Sequence, residues 1–222
     1  MRKTRLVNNE YYHICNRGVE KRDIFSDDRD YQRFFLSLVL MNDEKEGLMI
    51  RWRNYQASQP NATVDKFLRS NLSEKKPLVK IISYCLNPNH YHFILKQIRN
   101  RGIEKFMQRI ATGYTMYFNK KYKRSGVLFQ GKFKSSHIKS TSQLLRLSVY
   151  VNCNSEIHGI RPARNYKWCS FPEYIGRRQK RLCCTKVIMS HFKDVRDYEN
   201  YALENTLDFK EQKEDEKTIL LE

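Results

Sequence analysis

The sequence predicts a domain that mixes strands and helices, because segments with both periodicities alternate along the chain. Residues 10–16 and 78–86 are rich in β-forming side chains, and a turn of Asn-Pro-Asn then leads into a third apolar run at 90–95. Residues 27–42 and 103–118 carry apolar side chains at three- and four-residue steps, as amphipathic helices do. The two runs around the turn are expected to pair antiparallel as a hairpin.

The length and composition fit one domain with appendages. Of the 222 residues, 40% are hydrophobic, which is enough for a core and argues against global disorder. No apolar run approaches the roughly 18 residues of a membrane span, and the first residues lack an apolar signal core. We therefore expect a cytoplasmic protein without a membrane partner.

The six cysteines include no C-x-x-C pair. In a reducing compartment we expect them to be small hydrophobic side chains rather than disulfides or a structural zinc site.

The net charge of +18 is unevenly distributed along the chain. Residues 191–222 hold ten acidic and five basic side chains, so residues 1–190 carry a net charge of +23. Such an excess favours a polyanionic partner, with nucleic acid as the first candidate. The rival is a membrane surface, but no helix combines a basic face with a lipid-seeking aromatic face. Charge alone does not separate DNA from RNA.

A pair of histidines, His90 and His92, follows the turn of the predicted hairpin. Because successive side chains of a strand point to opposite faces, both imidazoles should project together, while Tyr91 and Phe93 enter the core. Two neighbouring imidazoles can bind a metal or a phosphate. The alternative is a strand with two solvated histidines. The other histidines have no such spacing, and we expect ordinary roles for His13, His137, His158 and His191.

A helix with a polar face is predicted after Ser140. Ser140 and Gln143 fit a capping box, leucines follow, and the helix is expected to stop near residue 154. Arg146, Tyr150 and Asn154 are four residues apart, so they should share one face that lies mostly outside the leucine stripe.

A basic loop at residues 120–126 precedes a predicted strand at 127–134. In that strand Phe129 and Phe133 would share one face and two lysines the other, an arrangement typical of a nucleic-acid track. The alternative is a solvated, charged edge strand. The residues predicted to contact DNA here and elsewhere are Arg17, Lys120, Lys121, Lys123, Arg124, Lys132, Lys134 and Arg146.

The remaining segments are less regular. Residues 43–77 are expected to be an insertion with a short helix at about 65–71. A last helix is expected over 191–207, followed by a solvated acidic tail at 210–217.

Short motifs follow one another in a fixed order, namely Asn16-Arg17-Gly18, Asn87-Pro88-Asn89-His90-Tyr91-His92, Tyr117-Phe118-Asn119, the run from Gly126 to Ser135, and Tyr150-Val151-Asn152-Cys153-Asn154. As a set they resemble the motifs of single-tyrosine HUH transposases, above all the REP-associated tyrosine transposases of bacteria. The resemblance covers about residues 8–175.

The resemblance implies an α+β fold, a ferredoxin-like antiparallel sheet flanked by helices (the HUH endonuclease fold). It implies a transposase domain over residues 1–175, interrupted by the insertion at about 43–77. Residues 176–222 would then be a C-terminal helical extension that ends in the acidic tail.

The resemblance also implies a reaction. His90, His92 and Asn154 correspond to the ligands of Mg²⁺ or Mn²⁺, and Tyr150 to the nucleophile. The substrate would be single-stranded or hairpin DNA, cleaved to a 5′-phosphotyrosine and a free 3′-hydroxyl. Because the covalent link conserves the phosphodiester energy, no nucleotide cofactor is needed, and the sequence has no Walker-type glycine loop. Relatives often dimerise, so a homodimer is left open.

Two alternatives stay open. One is a nickase like a replication initiator or relaxase, although a single tyrosine that follows the histidine pair argues against a relaxase. The other is a non-catalytic nucleic-acid-binding protein that retains the fold.

Overall fold

One four-stranded antiparallel sheet organises the chain. A computed structural model describes residues 5–178 and 182–219, with side chains as far as residue 215. The strands are β1 (Tyr11–Arg17), β2 (Val79–Asn87), β3 (His90–Gln97) and β4 (Lys134–Ile138). Their order across the sheet is β2-β3-β1-β4, and all neighbouring strands are antiparallel. The predicted hairpin is confirmed as β2 and β3.

The helices that flank the sheet are α1 (Asp28–Leu40), α2 (Leu48–Ser58), α3 (Val64–Asn71), α4 (Gly102–Lys121), α5 (Thr141–Asn152), α6 (Asn154–Ile157), α7 (Phe171–Tyr174), α8 (Lys186–Met189) and α9 (Val195–Ile219). Without the inserted α2 and α3, the order from β1 to β4 is that of the ferredoxin-like motif, as predicted. Within the described ranges, no helix has the length and apolar content that a membrane span needs.

The sheet separates two hydrophobic cores. Because side chains alternate along β3, Phe93 packs with Phe34 of α1 and other residues of the α1–α4 side, whereas Ile94 packs on the other side with Val149 of α5. Tyr198 of α9 is buried in this second core. Burying such side chains contributes about 1.5–3 kcal/mol each, so α9 is held firmly against α5.

Local sequence explains where the main helices begin. The side chain of Asp27 accepts a hydrogen bond from the backbone N–H of Asp30 and caps α1. Ser140 caps α5 by accepting from the N–H of Gln143, whose side chain accepts in turn from the N–H of Lys139. The predicted helices α1, α4 and α5 are all present, with differences of a few residues at their ends.

The prediction of a strand at residues 127–134 is wrong. The ladder with β1 begins only at Lys134, and before it Phe129 makes an isolated bridge with Gly18. Gly131 has φ of 71°, a left-handed conformation that turns the chain between the two pairings. Phe129 is nevertheless buried in the core on the α1–α4 side.

The insertion at 43–77 is more regular than expected. It contains the predicted short helix as α3 and, in addition, α2, whose apolar pattern is interrupted by basic and amide side chains. Trp52 of α2 and Phe67 of α3 form a separate small core with Leu40 of α1.

Two further predictions need correction. The helix after Ser140 does not run to Asn154, because α5 ends at Asn152 and Asn154 starts the short α6. Residues 210–217 are not a separate tail, since α9 continues through them to Ile219. The division of the chain at residue 175 stays a prediction.

Candidate active site

The face of the sheet that carries the histidine pair is defined by strand register. Cys15 of β1 lies opposite His92 of β3, and Arg17 lies opposite His90. On the other side of β3, Asn87 of β2 also lies opposite His90. Directly opposed residues point to the same face, so these five side chains share the face that α5 and α6 cover.

The two histidines project together, as the sequence predicted. Their ring centroids are 5.2 Å apart and the rings are nearly perpendicular. Tyr91 and Phe93 are buried on the opposite face.

Hydrogen bonds fix the tautomer of His90. Its Nδ1 lies 2.6 Å from Oδ1 of Asn89, whose amide nitrogen donates to the carbonyl of Lys21, so His90 Nδ1 is the donor. The other nitrogen, Nε2, then carries a lone pair and accepts from Nδ2 of Asn87 at 2.9 Å. Nε2 of His90 also lies 3.2 Å from Oδ1 of Asn154.

Asn154 is fully buried and only partly satisfied. Its Oδ1 accepts from Asn87 Nδ2 at 2.6 Å, while its own Nδ2 has no hydrogen-bond partner among the described residues. An unsatisfied buried donor costs about 1–3 kcal/mol, and a catalytic role or a bound ion is among the explanations for such a group. Two acceptor atoms, His90 Nε2 and Asn154 Oδ1, thus face each other, which is an arrangement suited to a cation.

Tyr150 of α5 packs against His92, one member of the histidine pair. Its ring centroid is 5.5 Å from that of His92, with the rings edge to face. The ring of Phe209 of α9 also packs against Tyr150, with the two ring centroids 5.2 Å apart. The guanidinium of Arg146 lies 4.8 Å from the ring of Phe209 and donates to Asn205, so this predicted DNA contact is directed toward α9.

Two histidines that the sequence predicted to be ordinary lie at the site. Nε2 of His13 is 2.9 Å from Nδ1 of His92, and the two rings are stacked. The ring of His158 is 5.1 Å from that of His90. A local signal for His13 existed, because its neighbours Tyr12 and Ile14 alternate into the core and leave it on the opposite face. No local signal pointed to His158.

The pKa values of His13, His90 and His92 are lowered, so these three imidazoles are held in the neutral form. Burial lowers the pKa of His13 from 6.5 to about 4. Burial also lowers the pKa of His90 from 6.5 to about 4, and the charges of Arg17 and Lys213 act in the same direction. Asn154 acts in the opposite direction, because its Oδ1 would accept a hydrogen bond from the protonated imidazole. The pKa of His92 is well below its ordinary value because of burial and the neighbouring histidines. Neutral imidazoles keep the lone pairs that metal binding requires.

The six cations between residues 120 and 134 that were predicted to contact DNA fall into two groups. Lys120, Lys123, Lys132 and Lys134 are exposed. Register places Lys134 opposite Cys15, on the site face. The other two cations, both in the basic loop, form hydrogen bonds within the chain. Lys121 donates to Asp27 and Asp30, and Arg124 donates to Asn119.

Comparisons with known proteins agree with this fold. Residues 6–154 match the family model described as "Transposase IS200 like". Among solved structures, a REP-associated tyrosine transposase bound to a REP hairpin matches with a TM-score of 0.50 at 10% sequence identity, over 82% of this chain and 88% of that chain. At this identity the likeness shows the fold alone. A search of curated proteins gave no significant match.

Proposed function

This chain belongs to the family of IS200-like transposases, and on that premise we propose that it cleaves and rejoins DNA through a covalent bond to Tyr150. The observation that carries the proposal is the position of Tyr150, whose ring lies 5.5 Å from that of His92. A tyrosine ring in contact with one of two neighbouring neutral imidazoles brings a nucleophilic side chain close to a place for a cation.

His90, His92 and Asn154 would hold the cation, Mg²⁺ or Mn²⁺. The 3.2 Å between His90 Nε2 and Asn154 Oδ1 is close to the roughly 3 Å that separates neighbouring ligands around an octahedral ion with bonds of about 2.0–2.1 Å. Nδ1 of His92 faces His13, which leaves Nε2 of His92 for the cation. A bound cation supplies positive charge that polarises the scissile phosphate. Imidazole ligands favour Mn²⁺ over Mg²⁺.

The chain's own residues account for the rest of the chemistry. The Oη atom of Tyr150 attacks phosphorus, an Oη–P bond forms, and the bond from phosphorus to the 3′ oxygen breaks. The phenol proton ends, in net, on the 3′ oxygen, which gives a 5′-phosphotyrosine and a free 3′-hydroxyl. Attack by a 3′-hydroxyl reverses these steps and restores the strand without a nucleotide cofactor. His13 is a positioning residue, because its hydrogen bond fixes the ring of His92.

Single-stranded or hairpin DNA is the substrate that we propose, acted on in the bacterial cytoplasm. The similar solved protein is bound to a REP hairpin, and the charge of +23 over residues 1–190 suits any such polyanion. Arg17 and Lys134 lie on the site face by register and are the first candidates to contact the strand beside the scissile phosphate. A homodimer is compatible with this proposal but is not needed for it, since the rings of Tyr150 and His92 are in contact within one chain.

A covalent adduct tests the proposal. Labelled oligonucleotides that carry the hairpins of the DNA flanking the gene are incubated with the full chain and Mn²⁺, and the products are separated under denaturing conditions. We expect a protein–DNA adduct that EDTA and Tyr150→Phe both abolish. Tyr55→Phe, on the inserted α2 away from the sheet, is the matched control and should form the adduct normally.

Other outcomes would favour the alternatives. Salt-sensitive binding of every hairpin without any adduct would indicate a non-catalytic DNA-binding protein. An adduct on supercoiled duplex DNA but on no hairpin would indicate a nickase. An adduct that persists in Tyr150→Phe would show that another residue is the nucleophile.

A further inference from the structure

A second set of metal-binding atoms lies beside the first. His13, Cys15 and His92 each offer one ligand atom, and these atoms all lie within 4.8 Å of one another. We propose that these three side chains form a thiol-containing cation site that binds Zn²⁺ and shares His92 with the proposed Mg²⁺ or Mn²⁺ site.

The sheet itself holds the three residues in place. Cys15 lies directly opposite His92 across β1 and β3, and His13 is two residues before Cys15 on the same face of β1. His13 Nε2 and His92 Nδ1 are already 2.9 Å apart. Around a tetrahedral Zn²⁺ with bonds of about 2.0–2.3 Å, neighbouring ligand atoms are about 3.3–3.6 Å apart. Side-chain movements of about an ångström would therefore complete the site, with no change in the backbone.

The environment of Cys15 differs from that of a core cysteine. Cys85, Cys153, Cys169 and Cys183 are buried, three of them in the core beneath α5 and one on the α1–α4 side. Cys15 belongs to neither core and is half-buried on the face that carries the histidines. Among the described residues, His13, Cys15 and His92 are the one group of three or more histidine, cysteine, aspartate or glutamate side chains that lie close enough together to hold an ion.

The donor atoms select the metal. A thiolate with two imidazoles is a set that binds Zn²⁺ and other borderline-soft ions, whereas Mg²⁺ prefers oxygen ligands. Three protein ligands leave the fourth tetrahedral position to water or another ligand. The neighbouring donors His90 and Asn154 contain no sulfur and include an oxygen, so the two parts of the cluster should prefer different ions.

Zn²⁺ and the catalytic cation should exclude each other. Zn²⁺ held between His13 and His92 engages Nδ1 of His92, and a neutral imidazole that binds through Nδ1 keeps its proton on Nε2. His92 is then lost to Mg²⁺ or Mn²⁺, so Zn²⁺ should inhibit DNA cleavage. This consequence rests on the proposed function, whereas Zn²⁺ binding itself does not.

Cobalt is a direct probe of the thiolate. The reduced full-length chain is titrated with Co²⁺, and the near-ultraviolet charge-transfer band of a sulfur–Co²⁺ bond is recorded, followed by displacement with Zn²⁺. We expect a band with one equivalent of Co²⁺ that Cys15→Ser abolishes and His13→Gln weakens. Cys184→Ser removes an exposed cysteine outside the group and should keep the band. Zn²⁺ affinity should fall in Cys15→Ser by more than the roughly 10- to 100-fold that loss of an outer partner costs.

Two results would overturn the site. One is the absence of a band in a wild-type chain shown to be reduced, and the other is a band that survives in Cys15→Ser. Circular dichroism of each variant verifies that the chain is folded, so that loss of the band reports loss of the ligand.

A cleavage assay tests the consequence separately. With Mn²⁺ present, we expect added Zn²⁺ to suppress the adduct in the wild type and to do so at least tenfold less effectively in Cys15→Ser. Equal inhibition of both would refute the shared use of His92. If no adduct forms under any condition, the proposed function fails while the cobalt result still decides the site.

Discussion

Two polar clusters lie on opposite sides of the sheet, and their hydrogen bonding differs. Between α1 and α4, the carboxylate cluster (Asp30, Tyr117, Lys121 and Tyr122) surrounds the fully buried Asp30. Its Oδ1 accepts from Tyr117 and Lys121, and its Oδ2 accepts from Tyr122 and the N–H of Ser26. In the histidine cluster (His13, Asn87, His90, His92 and Asn154), Nδ2 of Asn154 finds no partner among the described residues, and two acceptor atoms face each other.

We interpret this difference as one between a cluster that stabilises the fold and a cluster that serves the proposed function. Every oxygen of Asp30 is satisfied, and the hydrogen bonds of Lys121 with Asp27 and Asp30 outweigh its burial and raise its pKa, so this cluster stabilises the fold. The histidine cluster keeps buried imidazoles neutral and leaves a donor unsatisfied, which costs stability. Proteins retain such a cost where the groups serve a ligand or a reaction. We therefore expect mutations in the two clusters to have opposite signatures.

The largest effect is expected from His92→Gln. Losing a cation ligand should lower the rate of adduct formation about a thousandfold, equivalent to about 4 kcal/mol in the barrier. The free energy of unfolding should change by less than about 1 kcal/mol, because the replacement is polar and of similar size. Single-turnover kinetics and urea unfolding measure the two quantities. Loss of folding without a specific loss of rate would assign His92 to the fold instead.

Asp30→Ala should give the reverse signature. Removing the carboxylate leaves Lys121, two tyrosine hydroxyls and the N–H of Ser26 without their acceptor, and we expect a loss of about 3 kcal/mol in the free energy of unfolding. The adduct rate of the folded fraction should stay within about twofold. The matched control is Asp28→Ala, also in the first turn of α1, whose exposed ion pair with Lys167 contributes less than about 1 kcal/mol. Equal losses from both variants would contradict the distinction.

As the pH is lowered, the histidine cluster should be the first to reduce the free energy of unfolding. Above pH 6.5 His90 is neutral in both the folded and the unfolded state. Below pH 6.5 His90 becomes protonated in the unfolded chain, whereas in the folded chain it stays neutral until the pH approaches its pKa of about 4. Stability should therefore fall as the pH falls from 6.5 toward 4, by about 2 kcal/mol for His90 alone on reaching pH 5. Urea unfolding in EDTA at several pH values measures this.

Asp27, which binds Lys121 of the carboxylate cluster, supplies a contrast within the same titration. The hydrogen bond from Lys121 lowers the pKa of Asp27 below 3.8, so its contribution is present above that pH and is lost only at lower pH. Loss of stability between pH 6.5 and 4 should thus report the histidines, and His90→Gln should make the slope shallower. An unchanged slope in His90→Gln would show that His90 is not buried as a neutral group.

Local patterns were enough to predict one half of the site. His90 and His92 share a face because strand alternation acts within a few residues, and the Asn-Pro-Asn turn fixes the hairpin that carries them. The capped helices α1 and α5 were predicted for the same reason, since their starts depend on side chains three residues away. Tyr150 was predicted on α5, and the structure brings its ring to His92.

The other half depends on pairing between distant segments. His13 meets His92 only because β1 pairs with β3 in one register, and a shift by one residue would turn it to the core. Asn154 reaches His90 from a separate short helix, although its spacing from Tyr150 suggested one continuous helix. The prediction of a strand at 127–134 failed because Gly131 adopts a left-handed conformation, which interrupts a side-chain pattern that otherwise fits a strand.

The same comparison, applied to lysines, gives the smallest predicted effect. Lys132 is exposed and has no ion pair or hydrogen bond with any residue that the structure describes, whereas Lys121 is bound by Asp27 and Asp30. If Lys132 contacts a DNA phosphate, Lys132→Ala should weaken binding of a single-stranded oligonucleotide a few-fold and reduce the salt slope of log affinity by about 0.7. Lys121→Met should leave that slope unchanged and lower the urea midpoint instead, because its charge already serves the fold.

Fluorescence anisotropy at several salt concentrations measures the slope. A reduced slope in Lys121→Met would mean that DNA competes with Asp30 for this lysine, and the carboxylate cluster would then be part of the binding surface.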